Sequence, residues 1–260
     1  MPAFVDRLQA GGRYTFTREE ALAALGISRV ALTHAAGRLI AKRRLAAPRR
    51  GFYVIVPLEY RELGAPPPSW YIHGLMAHQG HPYYVGLLSA AALHGAAHQQ
   101  PQVFQVMTDV PLRPIRVGRS AIRFFIRREL AAVPTIALKT YTGTMRVSTP
   151  EATAFDLVRY ADRAGHLDHV ATVLAELAER IDPERLVAIA AGEVELPVVQ
   201  RLGYLLELVD AAAIATPLAT WVAGAGARPV ALASGVQAAG APRDKRWQIL
   251  VNDVVEIDEL

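Results

Sequence analysis

The 260-residue chain contains no cysteine. That excludes a disulfide framework, a thiolate zinc site and a cysteine nucleophile, and it fits a reducing, cytoplasmic setting. Long apolar runs are missing too. The longest uncharged apolar segment, Ala211 to Ala227, is broken by Pro217 and is shorter than the roughly 20 residues a spanning helix needs. The N-terminal stretch MPAFVDRLQAGG has Asp6 and Arg7 where a signal peptide needs an apolar core. A soluble protein with no membrane partner is expected. Nucleotide and nucleophile motifs are likewise absent. GAGARP near Gly224 lacks the Lys-Ser/Thr of a phosphate loop, and GLLSA does not match the G-x-S-x-G elbow. Acids are scarce on the strand-forming middle of the chain, where a metal-dependent nuclease needs converging carboxylates. The expectation is therefore no catalytic residue, no cofactor and no metal.

What is present is an uneven charge. Residues 1–55 hold ten Lys/Arg against three Asp/Glu, residues 56–147 nine against four, and residues 148–260 nine against seventeen. The net +4 conceals a basic front and an acidic back, which points to different partners for the two ends.

The front carries strong local signals. Thr17-Arg-Glu-Glu20 is a capping-box sequence, in which a Thr hydroxyl and a Glu carboxylate each take a free amide. The helix it opens should end at Gly26, a residue that tolerates positive φ. Ser28 then caps RVALTHAAGRLIAK, for which Val30, Leu32 or Thr33, Ala36, Leu39 and Ile40 are the expected inward face. Two helices joined by a short Gly turn are a helix-turn-helix pattern. The following KRRLAAPRRGFYVIV places a Pro-Arg-Arg-Gly turn between two short strands, as a wing does. Arg29, Thr33, His34 and Arg38 would face a major groove, and Lys42, Arg43, Arg44, Arg49 and Arg50 would hold phosphates.

Beyond Ala65-Pro-Pro-Pro68, expected to be an extended spacer, the character changes twice. Trp70–His78 and Gly86–His98 look helical; VFQVMTD, PIRVG, AIRFFIRR, TIALKTY and TMRVS look like strands; from Pro150 onward the pattern is helical, closing on a hairpin with its turn at Asn252-Asp253. Strands grouped before helices indicate an α+β fold. The expected organisation is a winged helix-turn-helix over 1–60, a Pro-rich linker over 61–69 and a larger mixed α+β domain over 70–260.

Two clusters stand apart. His73, His78, His81, His94 and His98 crowd one stretch, and His94/His98 have the i, i+4 spacing of a zinc pair, but HGAAH lacks the adjacent Glu of a metalloprotease. Helix-end histidines that bond the backbone or line an interface are the simpler expectation. Arg113, Arg116, Arg119, Arg123, Arg127 and Arg128 run without an intervening acid and form a second basic surface, suited to DNA or to an acidic protein.

Together, YYVGLLSAAALHGAAHQQPQVFQVMT (83–108), VSTPEATAFDLV (147–158) and RLGYLLE (201–207) resemble the AbiEi antitoxins of type IV toxin-antitoxin systems. The resemblance implies a protein that represses its own operon by binding inverted repeats in double-stranded promoter DNA through the winged helix. It also implies a C-terminal domain that counteracts a nucleotidyltransferase-like toxin. Two other readings share the same N-terminus: a solitary winged-helix regulator with a dimerising or ligand-sensing rear domain, and a nucleic-acid-processing enzyme targeted by its winged helix.

Overall fold

The computed structural model describes residues 1–96, 101–192 and 195–257. The fold is α+β, and the chain forms two compact units, residues 1–85 with 102–147, and residues 86–101 with 148–260.

The first unit begins as the sequence predicts. Helix α1 (Pro2–Ala10) is followed by strand β1 (Thr15–Thr17), helix α2 (Arg18–Leu25), helix α3 (Arg29–Ala41) and the strands β2 (Leu45–Arg49) and β3 (Phe52–Ile55). The capping box is formed: the Thr17 hydroxyl accepts from the Glu20 amide at 3.2 Å, and Glu20 accepts from the Thr17 amide at 2.7 Å. Gly26 ends α2 in the left-handed region at φ 61°, and the Ser28 hydroxyl accepts from the Ala31 amide to start α3. Replacing Thr17 by Ala removes one of these caps and is expected to cost about 1 kcal/mol, read as a lower denaturant midpoint at unchanged slope. Strand β1 joins the hairpin, giving the order β1-β3-β2. A three-residue strand carries too little periodicity to be seen in the sequence. Phe4, Phe16, Leu32, Leu39, Leu45 and Ile55 meet in the core beneath this sheet.

The inward face of α3 is narrower than expected. Leu32, Ala36 and Leu39 are buried, whereas Val30 is 66% exposed and Ile40 38%. Val30 precedes Leu32 by two residues, about 200° around the helix, so the two cannot share one buried stripe.

The remainder of this unit comprises α4 (Ile72–Gln79) and a six-stranded sheet of β4 (Tyr83–Val85), β5 (Val103–Thr108), β6 (Ile115–Val117), β7 (Ser120–Ile126), β8 (Thr135–Thr140) and β9 (Gly143–Ser148), in the order β6-β7-β5-β4-β9-β8. Residues 61–69 are docked on it. The Arg119 amide donates to the Leu63 carbonyl at 2.9 Å, and Gly64 meets Gly118 so closely that a Cβ on Gly118 would sit 2.0 Å from the Leu63 oxygen. Ala65 and Pro66 are buried, and Pro68 opens a single turn ending at Trp70, whose ring stacks on Tyr141 at 4.3 Å. The prolines fix an extended path, and here that path lies against a surface.

The second unit is mostly helical: α5 (Leu87–Leu93), α6 (Pro150–Arg159), α7 (His166–Leu177), α8 (Pro183–Gly192), α9 (Leu196–Leu208) and α10 (Ala212–Gly224). Helix α5 is shorter than the predicted Gly86–His98. The turn passes through Gly95 at φ 88°, and His98 lies outside the described residues. Three short strands, β10 (Val230–Ala231), β11 (Arg243–Asp244) and β12 (Ile249–Leu250), complete the unit in the order β10-β12-β11. The predicted turn at Asn252-Asp253 is not formed. The β11–β12 pairing closes earlier, with the Asp244 carboxylate accepting from the Trp247 amide at 2.7 Å. The Asn252 side chain instead imitates a peptide group, donating to Ala233 and Val236 carbonyls and accepting from the Ala233 amide.

Candidate nucleic-acid interface

Helix α3 presents Arg29, Thr33, His34 and Arg38 to solvent, Arg29 at its first position and His34 and Arg38 on the side away from Leu32 and Leu39. The Thr33 hydroxyl donates back to the Arg29 carbonyl at 2.9 Å. Its proton is therefore engaged within the helix, and an acceptor oxygen and a methyl remain. Lys42 and Arg43 lie exposed at the end of α3, with Arg43 in the left-handed region at φ 52°.

The wing is braced from two sides. The Arg18 amide donates to the Gly51 carbonyl at 2.8 Å, and His78 Nε2 donates to the Arg50 carbonyl at 3.3 Å while its ring lies 5.5 Å from that of Phe52. The Arg50 side chain stays exposed. The other two wing arginines are engaged within the protein. Arg44 forms an ion pair with Asp6 of α1. Arg49 donates to the Arg113 carbonyl and places its guanidinium 6.0 Å from the centre of the Phe124 ring. Partial burial, then the like charge of Arg113, lowers the Arg49 pKa from its ordinary value.

Between α3 and the wing lies an open groove of about 480 Å³, lined by Arg18, Thr33, Gly37, Ile40, Arg49 and Arg50 among others, with no acid in its lining. Arg18 was not among the residues expected here, although the sequence carries a signal for it. It occupies the first position of α2, where the helix dipole disfavours a cation, and residues that break a local rule tend to mark function. Val30 also stands exposed on this helix, although its apolar side chain suggests burial.

The second basic cluster does not form one face. Arg116 stands opposite Ala121 in the β6–β7 ladder, and strand alternation puts Arg123 on that same side. Phe124, beneath Arg49, is on the other. Arg113, Arg116, Arg119, Arg123 and Arg128 are exposed, and Arg127 is half-buried.

The motif residues of the rear unit act as fasteners. His94 Nε2 donates to the Ser148 carbonyl at 2.7 Å, the helix-end role expected for a histidine there. In VSTPEATAFDLV, the Thr149 hydroxyl caps α6, Ser148 and Thr153 share a hydrogen bond at 2.7 Å, and buried Glu151 accepts from the Asp182 amide at 3.1 Å, tying α6 to the start of α8. Asp156 sits 3.7 Å from Arg159. These carboxylates face different partners rather than one another. Among the described residues no group of three or more His, Asp or Glu side chains is placed to hold a metal, and no helix is long and apolar enough to cross a membrane.

Comparison with known proteins assigns the region that carries these motifs. The sequence model of the AbiEi antitoxin C-terminal domain matches residues 84–208. This stretch is similar to AbiEi antitoxin C-terminal domains. The AbiEi match runs from β4 to the end of α9 and so includes His94, Glu151 and RLGYLLE. Among solved structures, the Rv2827c protein from Mycobacterium tuberculosis is similar over 95% of this chain and 89% of that one, at 18% identity and a TM-score of 0.66. That likeness shows the fold, an N-terminal winged helix-turn-helix with an α+β C-terminal part. The antibiotic-resistance factor ANT(2'')-Ia matches 46% of this chain and 86% of its own at 13% identity, with a TM-score of only 0.32. No curated protein matches the chain significantly.

Proposed function

We propose that the chain is a DNA-binding autorepressor and antitoxin of a type IV toxin-antitoxin system. Its N-terminal module, residues 1–60, would recognise inverted repeats in its own promoter, and its AbiEi domain would counteract a nucleotidyltransferase-like toxin in the cytoplasm. The observation that carries the DNA reading is the set Arg29, His34, Arg38, Lys42, Arg43 and Arg50. All six side chains are exposed on α3 or the wing, and none has a carboxylate partner among the described residues. Arg29, Thr33, His34 and Arg38 are assigned to the major groove, where Arg suits guanine edges and exposed Val30 suits a thymine methyl. Lys42, Arg43 and Arg50 are assigned to phosphates, and Arg44, paired with Asp6, to bracing the wing.

The salt dependence of binding tests this division. A Lys42→Ala/Arg50→Ala chain should bind its upstream DNA with a log-log salt slope shallower by about 1.8, since each phosphate contact contributes about 0.9 on B-DNA. An unchanged slope would take both residues off the phosphate backbone.

A further inference from the structure

The acid-free run from Arg113 to Arg128 raised two alternatives, DNA or an acidic protein. The structure separates its members. Arg113 lies against the wing. Its carbonyl accepts from the Arg49 guanidinium, Arg49 covers Phe124 of the adjoining strand, and β2 packs beside β6. Arg116 and Arg123 project from the opposite side of the β6–β7 hairpin to Phe124.

Arg49, which lines the groove that also contains Arg18, Arg50 and no acid, is thus bonded to the Arg113 backbone, and the Arg113 charge acts on it. Neither has a carboxylate partner among the described residues, and Arg113 is exposed. Like charges brought together cost free energy unless an anion is shared between them. A phosphate suits the site: guanidinium donors form directed, charge-assisted bonds to its oxygens, and Arg49 has five N–H donors, of which the bond to the Arg113 carbonyl uses one. An acidic peptide fits less well, because the position adjoins a groove bordered by the helix assigned to DNA.

Resting on the DNA-binding reading above, we propose that Arg113 belongs to the DNA interface. With Arg49 it clamps a single backbone phosphate beside the wing, while Arg116 and Arg123 take no part in DNA contact. The wing footprint thus extends onto the β6–β7 hairpin, a segment distant in sequence from the helix-turn-helix.

The test is a salt titration of duplex binding by full-length variants, with thermal melts to confirm folding. Arg113→Ala and Arg49→Ala should each lower the log-log slope by about 0.9. Their combination should lower it by the same amount, because the phosphate is held only when both guanidinium groups grip it. Arg113→Gln, which keeps most of the side chain's bulk without its charge, should behave like Arg113→Ala, and Arg116→Ala/Arg123→Ala should leave the slope unchanged. The clamp is overturned if a folded Arg113→Gln chain retains the wild-type slope, if the double variant loses twice the single effect, or if the Arg116/Arg123 pair carries the change. In those cases the wild type still prefers its own promoter, and the functional reading stands. A wild-type chain with no preference for that promoter would instead remove the reading itself, and the clamp with it.

Discussion

An Arg29→Ala/Arg38→Ala chain is expected to bind its own promoter duplex at least about thirty-fold more weakly than the wild type, with an unchanged melting temperature. Both side chains are exposed and make no hydrogen bond or ion pair among the described residues. Exposed positions of this kind usually tolerate substitution within about 0.5 kcal/mol. On DNA the situation reverses, since a well-placed side chain contributes about 1–3 kcal/mol of discrimination at a base edge. Two such losses amount to at least about 2 kcal/mol, hence the thirty-fold figure. The loss should be smaller on a scrambled duplex of equal length, because base contacts act only at the matching sequence. Equal losses on both duplexes would mean that α3 contributes charge and not sequence recognition.

The second large effect concerns stability. Gly203→Ala should destabilise the protein by about 3 kcal/mol, the upper end of the usual overpacking cost, even though Ala is favoured over Gly in a helix by about 1 kcal/mol. Gly203 lies within α9 against the fully buried Trp247, and a Cβ there would come within 1.9 Å of the indole ring. The ring cannot easily move aside. Its Nε1 donates to Glu207 at 2.7 Å, and its carbonyl is one of three that accept from the buried Gln200 side chain. A denaturation series should show the loss, and Trp247→Phe in the same chain should be less than additive with it. A Gly203→Ala protein that melts like the wild type would contradict this packing.

The parts of the fold that could be read from sequence are those decided by neighbours along the chain. Thr17 with Glu20, Gly26, Ser28, Thr149 with Pro150, and Asp182 with Pro183 each mark a helix end because a side chain satisfies an amide a few residues away, or because Pro suits a first turn. What could not be read depends on distant partners. Arg44 meets Asp6 across 38 residues, and Arg49 meets Arg113 across 64; on composition alone both look like free wing cations. Strand β1 exists only through its pairing with β3, and Asn252 resembles a turn residue until Ala233 is placed beside it. His78 and His94 follow the local rule, each bonding a backbone carbonyl from a helix end. His94 lies one residue past α5. The exposure of Val30 has a different cause: its apolar character suggests burial, whereas helical spacing sets it opposite Leu32.

These features give the chain a stretch similar to the AbiEi antitoxin C-terminal domain and a basic N-terminal module whose exposed residues differ from its braced ones. The central claim is that α3 and the wing recognise a particular duplex. The most direct measurement is the affinity of the full chain for its own promoter repeats against a scrambled duplex at the same salt concentration. The account predicts a preference of about a thousand-fold or more, the lower range for specific DNA-binding proteins, which the Arg29→Ala/Arg38→Ala change lowers by about thirty-fold. Equal affinity for the two duplexes would contradict it.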